Sequence, residues 1–261
     1  MTNAIPEVGR WQHGPQKCRR WLLSVITLFA ALWLSIGTAH SQTQAQSPIL
    51  LVVGDSLSAA YGIPQEAGWV TLLDQRLDGR AQVINASISG ETSSGGASRL
   101  AGLLEQHQPD IVVLELGGND GLRGLPPQQM QANLNRMIEQ SRSSGADVLL
   151  VGIDIPPNYG QAYREAFGQV FRSLADEHQL PLLPFLLEGI ALKPELMQED
   201  GIHPTADAQP LMLDNVWAEL APLLREQGVQ LATEASQAKA SQAEPSVSQT
   251  EPSASQTEPS S

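Results

Sequence analysis

The sequence has almost no cysteine and little positive charge. A single cysteine, Cys18, excludes a disulfide scaffold. Lysine occurs only at Lys17, Lys193 and Lys239, and 15 basic residues stand against 28 acidic ones. Arg10, Lys17, Arg19 and Arg20 lie in the first 41 residues with one acid, Glu7, so the remainder holds 11 basic and 27 acidic residues, a net charge of −16. Such a body is repelled by phosphate backbones, which excludes a nucleic-acid or anionic-lipid footprint. After residue 41 the histidines are His107, His178 and His203. With no cysteine beside them they make no zinc cluster, so no metal is expected. The glycine pairs at 95–96 and 117–118 match neither a phosphate loop nor a dinucleotide fingerprint, and no cofactor is implied.

Long apolar runs are also scarce. One runs from Trp21 to Ile36, directly after Lys17, Arg19 and Arg20, and is followed by small residues. This is the pattern of a secretory signal peptide over residues 1–41, with cleavage at Ala39, Ser41 or Ala45. The run is short of the ~20 residues a spanning helix needs, so release to the periplasm or medium is expected rather than an anchor. Cys18 precedes the run, on the wrong side for lipid attachment. At the other end, Ser241-Gln-Ala-Glu-Pro-Ser-Val247 recurs at 248–254 and 255–261. Each repeat carries a proline and almost no apolar residue, which rules out a coiled coil and marks 228–261 as a disordered acidic tail. Residues 42–227 remain as one domain.

Within that domain, short apolar runs at Ile49–Val53, Val83-Ile84, Ile111–Leu116, Val148–Ile153 and Leu180–Phe185 read as strands buried on both faces. Segments with spaced apolar positions lie between them: Trp69–Leu77, Ala97–Leu104, Met130–Ile138 and Tyr163–Leu174. These read as amphipathic helices. A closing helix over Leu211–Leu224 is expected to end or kink near Pro222. The alternation predicts an α/β fold, a three-layer α/β/α sandwich around a parallel sheet of about five strands.

Three polar motifs directly follow predicted strands: Gly54-Asp55-Ser56-Leu57-Ser58, Ser87-Ile88-Ser89-Gly90-Glu91-Thr92 and Gly117-Gly118-Asn119-Asp120. In a parallel sheet all three emerge at the carboxyl edge, where open α/β sheets bind ligands. Asp200-Gly-Ile-His203-Pro204 comes near the domain's end. A serine hydroxyl is a weak nucleophile that needs a base and a group to orient that base, so Ser56, His203 and Asp200 form a candidate triad. Acyl attack also creates an oxyanion, for which the N–H groups of Ser56 and Gly90 and the amide of Asn119 are candidate donors. Glycine at 90 leaves the backbone free of a Cβ.

These blocks resemble those of the SGNH (GDSL) hydrolases. The stretches Ile84-Asn-Ala-Ser-Ile-Ser-Gly-Glu-Thr92, Leu114-Glu-Leu-Gly-Gly-Asn-Asp-Gly-Leu-Arg-Gly124 and Pro156-Pro-Asn-Tyr-Gly160 are similar to its periplasmic thioesterase I/lysophospholipase/arylesterase subgroup. The likeness runs from about Ile49 to Leu224. It implies the flavodoxin-like SGNH fold and an exported serine esterase and thioesterase acting on aryl esters, lysophospholipids and acyl thioesters through an acyl-enzyme. It assigns Ser56 as nucleophile, His203 as base, Asp200 as orienting carboxylate, and Gly90 and Asn119 with Ser56 as the oxyanion hole. It also places Leu122 and Leu125, in the loop 121–126, and the strand end Ile155-Pro156 along an acyl-chain groove. Asp154 departs from the subgroup pattern, where a basic or neutral residue stands. That extra negative charge counts against anionic acyl carriers such as coenzyme A thioesters.

Each residue has a plainer reading. Ser56 is also a common type of helix N-cap, Asn119 a common loop stabiliser, and Gly90 a residue suited to positive φ. His107 and His178 sit at the ends of helical segments, where an exposed imidazole is unremarkable. Two rival functions remain at this stage. One is a polysaccharide O-acetyl esterase; the other is a non-catalytic acyl- or lipid-binding protein on the same frame. The expected partners are small acyl esters or thioesters, with no nucleic acid and no membrane anchor once the signal is removed. A monomer is the default for so charged a domain.

Overall fold

The computed structural model describes residues 47–231. The signal segment, Cys18 and all but the first four residues of the acidic tail lie outside the described residues.

The most apolar runs occupy the centre. β1 (Ile49–Gly54) and β3 (Ile111–Glu115) carry β-branched and leucine side chains on both faces, which suits strands covered by helices above and below. Leu50 to Val53 and Ile111 to Leu114 are at most 1% exposed. β2 (Gln82–Asn85), β4 (Asp147–Val151) and β5 (Leu182–Leu183) complete a five-stranded parallel sheet in the order β2-β1-β3-β4-β5. The three-layer α/β architecture expected from sequence is present.

Six helices cover the sheet: α1 (Trp69–Leu77), α2 (Ser93–His107), α3 (Gly118–Leu122), α4 (Pro127–Ser143), α5 (Gln161–His178) and α6 (Gln209–Glu226). α1 packs against α6 in one layer, and α4 packs against both α2 and α5 in the other. At its start α2 is capped by Thr92, whose hydroxyl accepts from the Gly95 N–H at 3.3 Å.

Three expectations change. β2 is an edge strand with its ends exposed and its middle half-buried, because a sheet edge has a neighbour on one side only. β5 shrinks to two residues. Pro181 and Pro184 flank it and cannot donate to the ladder, although the Pro181 carbonyl still accepts from Leu150 N–H at 3.1 Å. α6 runs through Pro222 to Glu226 without ending there. Its apolar face, including Met212, Val216, Leu220 and Leu224, is buried in the core, and that packing outweighs one missing hydrogen bond. Beyond the helix, Val229 is 6% exposed and its N–H donates to Leu224 O at 2.9 Å, so core packing continues two residues into the stretch read as tail.

After β1 the chain forms β2 on one side, then crosses β1 to form β3 on the other. The carboxyl ends of β1 and β3 therefore flank the point where the strand order reverses, the position at which open α/β sheets form a crevice.

Candidate active site

The turn after β1 is shaped by close packing. A Cβ on Gly54 would lie 2.7 Å from Glu115 Oε2 and 2.8 Å from the Ser58 side chain, so no larger residue fits there. Glu115 is the last residue of the adjacent β3. Its Oε2 accepts the Asp55 N–H at 3.2 Å and the Ser58 hydroxyl at 2.7 Å, which fixes the turn onto the sheet. Ser56 does not cap a regular helix. The chain after it makes a series of turns, with Ala59 N–H on Asp55 O at 3.0 Å and Tyr61 N–H on Ser56 O at 3.2 Å.

The Ser56 side chain instead reaches across 147 positions of sequence, its hydroxyl 2.9 Å from His203 Nε2. His203 Nδ1 is 2.6 Å from Asp200 Oδ2. A carboxylate only accepts, so Nδ1 carries the proton and Nε2 is left to take one from Ser56. Asp200 Oδ1 accepts from the N–H groups of Ile202 (2.9 Å) and His203 (3.0 Å), folding the loop around its own carboxylate. Burial alone would raise the Asp200 carboxyl, but these N–H groups and the His203 ring hold it down to about 2. Gln198 ties this loop to the serine turn. Its N–H donates to His203 O at 2.7 Å, and its side-chain amide donates to Tyr61 O and Pro204 O, both at 2.9 Å.

The two other loops are joined as well. Gly90 has φ +78 and nothing lies within 4 Å of where its Cβ would be, so its residue type answers to the backbone conformation rather than to crowding. Asp120, 2% exposed, accepts from Ser93 N–H at 2.8 Å and Ser93 hydroxyl at 2.6 Å, linking the asparagine loop to the start of α2. Arg123 donates to Gly90 O at 2.9 Å. Asn119 Nδ2 donates to Asp55 Oδ2 at 3.0 Å. Among the described residues, no protein acceptor takes the N–H of Ser56 or Gly90.

Beneath these groups lie two buried acids, Asp55 and Glu115, that no sequence pattern marks for chemistry. Burial pushes the Asp55 carboxyl up to about 6, against the opposing hydrogen bonds from Leu57 and Asn119. Complete burial, with Asp55 as a like-charged neighbour, raises Glu115 well above the ordinary glutamate range. Glu115 Oε1 has no hydrogen-bond partner, in keeping with a neutral carboxyl. The available signal was an acid inside the apolar run Ile111-Val-Val-Leu-Glu-Leu116.

The groove candidates are placed unevenly. Leu122, Leu125 and Pro156 are half-buried, and the carbonyls of Leu122 and Leu125 accept from Tyr159 OH (2.7 Å) and Tyr163 OH (2.6 Å). Ile155 is 3% exposed and belongs to the core, its Cγ2 2.5 Å from where a Gly121 Cβ would stand. Asp154 pairs with Arg164, whose Nε also donates to Ile155 O at 2.9 Å. A cavity of about 650 Å³ lined by Ile153, Asp154, Arg164, Phe171 and Phe185, among others, holds none of Ser56, Gly90, Asn119, Asp200 and His203. A shallower depression lined by Tyr61, Gly62, Gln198, Glu199 and Asp200 adjoins the triad loop.

Residues 52–210 match the model of the GDSL-like lipase/acylhydrolase family. Over 184 residues the sequence is 53% identical to esterase TesA of Pseudomonas aeruginosa, covering 69% of this chain and 92% of that protein. Thioesterase 1/protease 1/lysophospholipase L1 of Escherichia coli strain K12 is 48% identical over 180 residues, covering 69% of this chain and 86% of that one. Among solved structures, the psychrotrophic esterase EstA of Pseudoalteromonas, inhibited by monoethylphosphonate, superposes with TM-score 0.65 at 44% identity. That match covers 68% of this chain and 99% of EstA.

Proposed function

The chain belongs to the GDSL-like lipase/acylhydrolase family, and from that premise we propose how its residues divide the work of an ester and thioester hydrolase. Ser56 Oγ attacks the acyl carbonyl while His203 Nε2 takes its proton, and Asp200 stabilises the imidazolium that forms. The carbonyl oxygen becomes an oxyanion that accepts from Ser56 N–H, Gly90 N–H and the Asn119 amide. Each such donor is worth roughly 2.7–4 kcal/mol. Collapse expels the alcohol or thiol, protonated by His203, and leaves an acyl-Ser56 ester. Water then attacks that ester with His203 again as base, releasing the carboxylic acid and the free serine.

The observation that carries this reading is the line Ser56–His203–Asp200, with hydrogen bonds of 2.9 and 2.6 Å between segments far apart in sequence. Asn119, held beside Asp55, and the unpartnered N–H groups of Ser56 and Gly90 support the oxyanion assignment. The substrates proposed are aryl esters, lysophospholipids and acyl thioesters. Leu122, Leu125 and Pro156 are kept as acyl-contact residues; Ile155, packed in the core, would act from beneath them. The Lys17-Arg19-Arg20 cluster and the apolar run after it support export with loss of residues 1–41.

Labelling with an organophosphonate tests the reading. A stoichiometric adduct on Ser56, and loss of p-nitrophenyl ester hydrolysis in Ser56→Ala, are expected. Hydrolysis surviving in Ser56→Ala would end it. Acetyl, octanoyl and longer esters assayed in parallel separate a lipid esterase from a polysaccharide deacetylase.

A further inference from the structure

We propose that Asp55 is a positioning residue for the oxyanion hole, its carboxylate fixing the Asn119 amide with one N–H held and the other free for the substrate oxygen. The inference rests on the reading of Asn119 as an oxyanion donor and assigns a task to an acid outside the triad.

An asparagine side chain is a two-ended group, with two donors on nitrogen and an acceptor oxygen of almost the same shape. Turned by half a revolution, it would present a carbonyl oxygen to a developing negative charge and oppose it. Something has to select the orientation before substrate arrives. A carboxylate does so because it can only accept, and a flipped amide would set oxygen against oxygen. Asp55 Oδ2 stands 3.0 Å from Asn119 Nδ2 and so holds the nitrogen end. The amide nitrogen keeps its second hydrogen for another acceptor.

The holder is itself immobilised. Asp55 Oδ1 accepts the Leu57 N–H at 3.0 Å, so both carboxylate oxygens are engaged and the group cannot rotate. Its N–H is taken by Glu115 Oε2, and Asp55 as a whole is 2% exposed. A Cβ on Gly118 would lie 3.2 Å from Asp55 Oδ2, tight enough that the glycine before Asn119 allows the two loops to approach. Because Asp55 immediately precedes Ser56, the arrangement couples the nucleophile's backbone to the donor loop. One residue sets the distance between attacking oxygen and stabilising amide.

The test is a double-mutant cycle on kcat with a p-nitrophenyl ester. Asn119→Ala should lower kcat by ~10²–10³. Asp55→Asn cannot satisfy both Leu57 N–H and the Asn119 amide with its single oxygen. It should lower kcat about 10- to 100-fold, as for a donor displaced by ~1 Å, with KM changed less than about threefold. In the Asn119→Ala background the same change should cost less than about twofold, because the group Asp55 acts through is gone. Multiplying losses would overturn the proposal while leaving Asn119 as a donor. An unchanged kcat in Asn119→Ala would remove the parent reading and this one together. A measurement on the unsubstituted protein covers the case in which Asp55→Asn does not fold. Of the two Asn119 side-chain amide protons, one should be shifted downfield of the usual asparagine range and protected from exchange. Both protons at ordinary shifts and exchanging rapidly would overturn the proposal.

Discussion

The ring of Tyr61 lies against that of His203, centroids 4.4 Å apart and planes inclined by 39°. Tyr61 is nonetheless 51% exposed, so burial alone does not explain its position. It shields one face of the imidazole while the edge remains open to Ser56 and Asp200. An aromatic contact of this kind is worth roughly 0.5–1.5 kcal/mol. Tyr61→Ala should therefore lower kcat/KM by roughly 2- to 10-fold, and Tyr61→Phe, which keeps the ring, should stay near the parent rate. Equal losses in both variants would move the effect from the ring to the hydroxyl.

Asp200 should be indispensable in a different way from Asn119. Removing its charge leaves His203 without the partner that selects the Nδ1–H tautomer, so Asp200→Asn should lower kcat on the order of 10⁴. Steady-state kinetics decides this. A loss below tenfold would mean that the 2.6 Å contact has another purpose.

Stability should fall as pH rises through the range in which the buried acids ionise. The Asp55 carboxyl is raised from 3.8 to about 6, and burial raises Glu115 well above the ordinary glutamate range. An acid with a raised pKa in the folded state binds its proton more tightly there than in the unfolded chain. Its stabilising share is complete below the ordinary pKa and is lost as pH climbs through the raised one. Melting temperature followed from about pH 4 upward should show this decline, and Glu115→Gln, which cannot ionise, should make it shallower. An identical pH profile in the variant would take Glu115 out of the account. Asp200, lowered to about 2, behaves in the opposite sense. Its share is present above 3.8 and is lost as pH falls through 2.

Pro222 leaves Ala218 O without its helical donor, on the exposed side of α6. Pro222→Ala restores that bond. An interior proline costs ~3 kcal/mol, and its restriction of the unfolded chain returns ~0.4–1, so the exchange should stabilise by about 2 kcal/mol. Differential scanning calorimetry should show Tm higher by about 4–8 °C. A lower Tm would mean that the proline ring contributes packing of its own.

The parts legible in the sequence are those governed by pattern. Ile49–Val53 and Ile111–Leu114 announce buried parallel strands, and the polar blocks directly after them must share an edge. The contacts among Ser56, His203 and Asp200 are anticipated by the chemistry of a serine nucleophile, which needs a base and a group to orient it, rather than by the sheet. What escaped is local geometry in irregular chain. Tyr61 and Gln198 sit in turns without periodicity, so no spacing rule links them to His203. Nothing local distinguishes Asp55 from an ordinary turn residue, because its contact with Asn119 spans 64 positions. Glu115 is masked by the apolar residues on either side of it in the run 111–116. Pro222 reads as a breaker because helix propensity is visible locally and the burial of α6 is not.

The pairing of Asp154 with Arg164 cancels the charge that the acid alone would place beside Ile155. Because the guanidinium neutralises the carboxylate and also grips Ile155 O, that corner presents an anion with no net repulsion. Raised ionic strength loosens such an exposed pair but screens the freed carboxylate equally, so this corner stays close to electrically silent at any salt concentration.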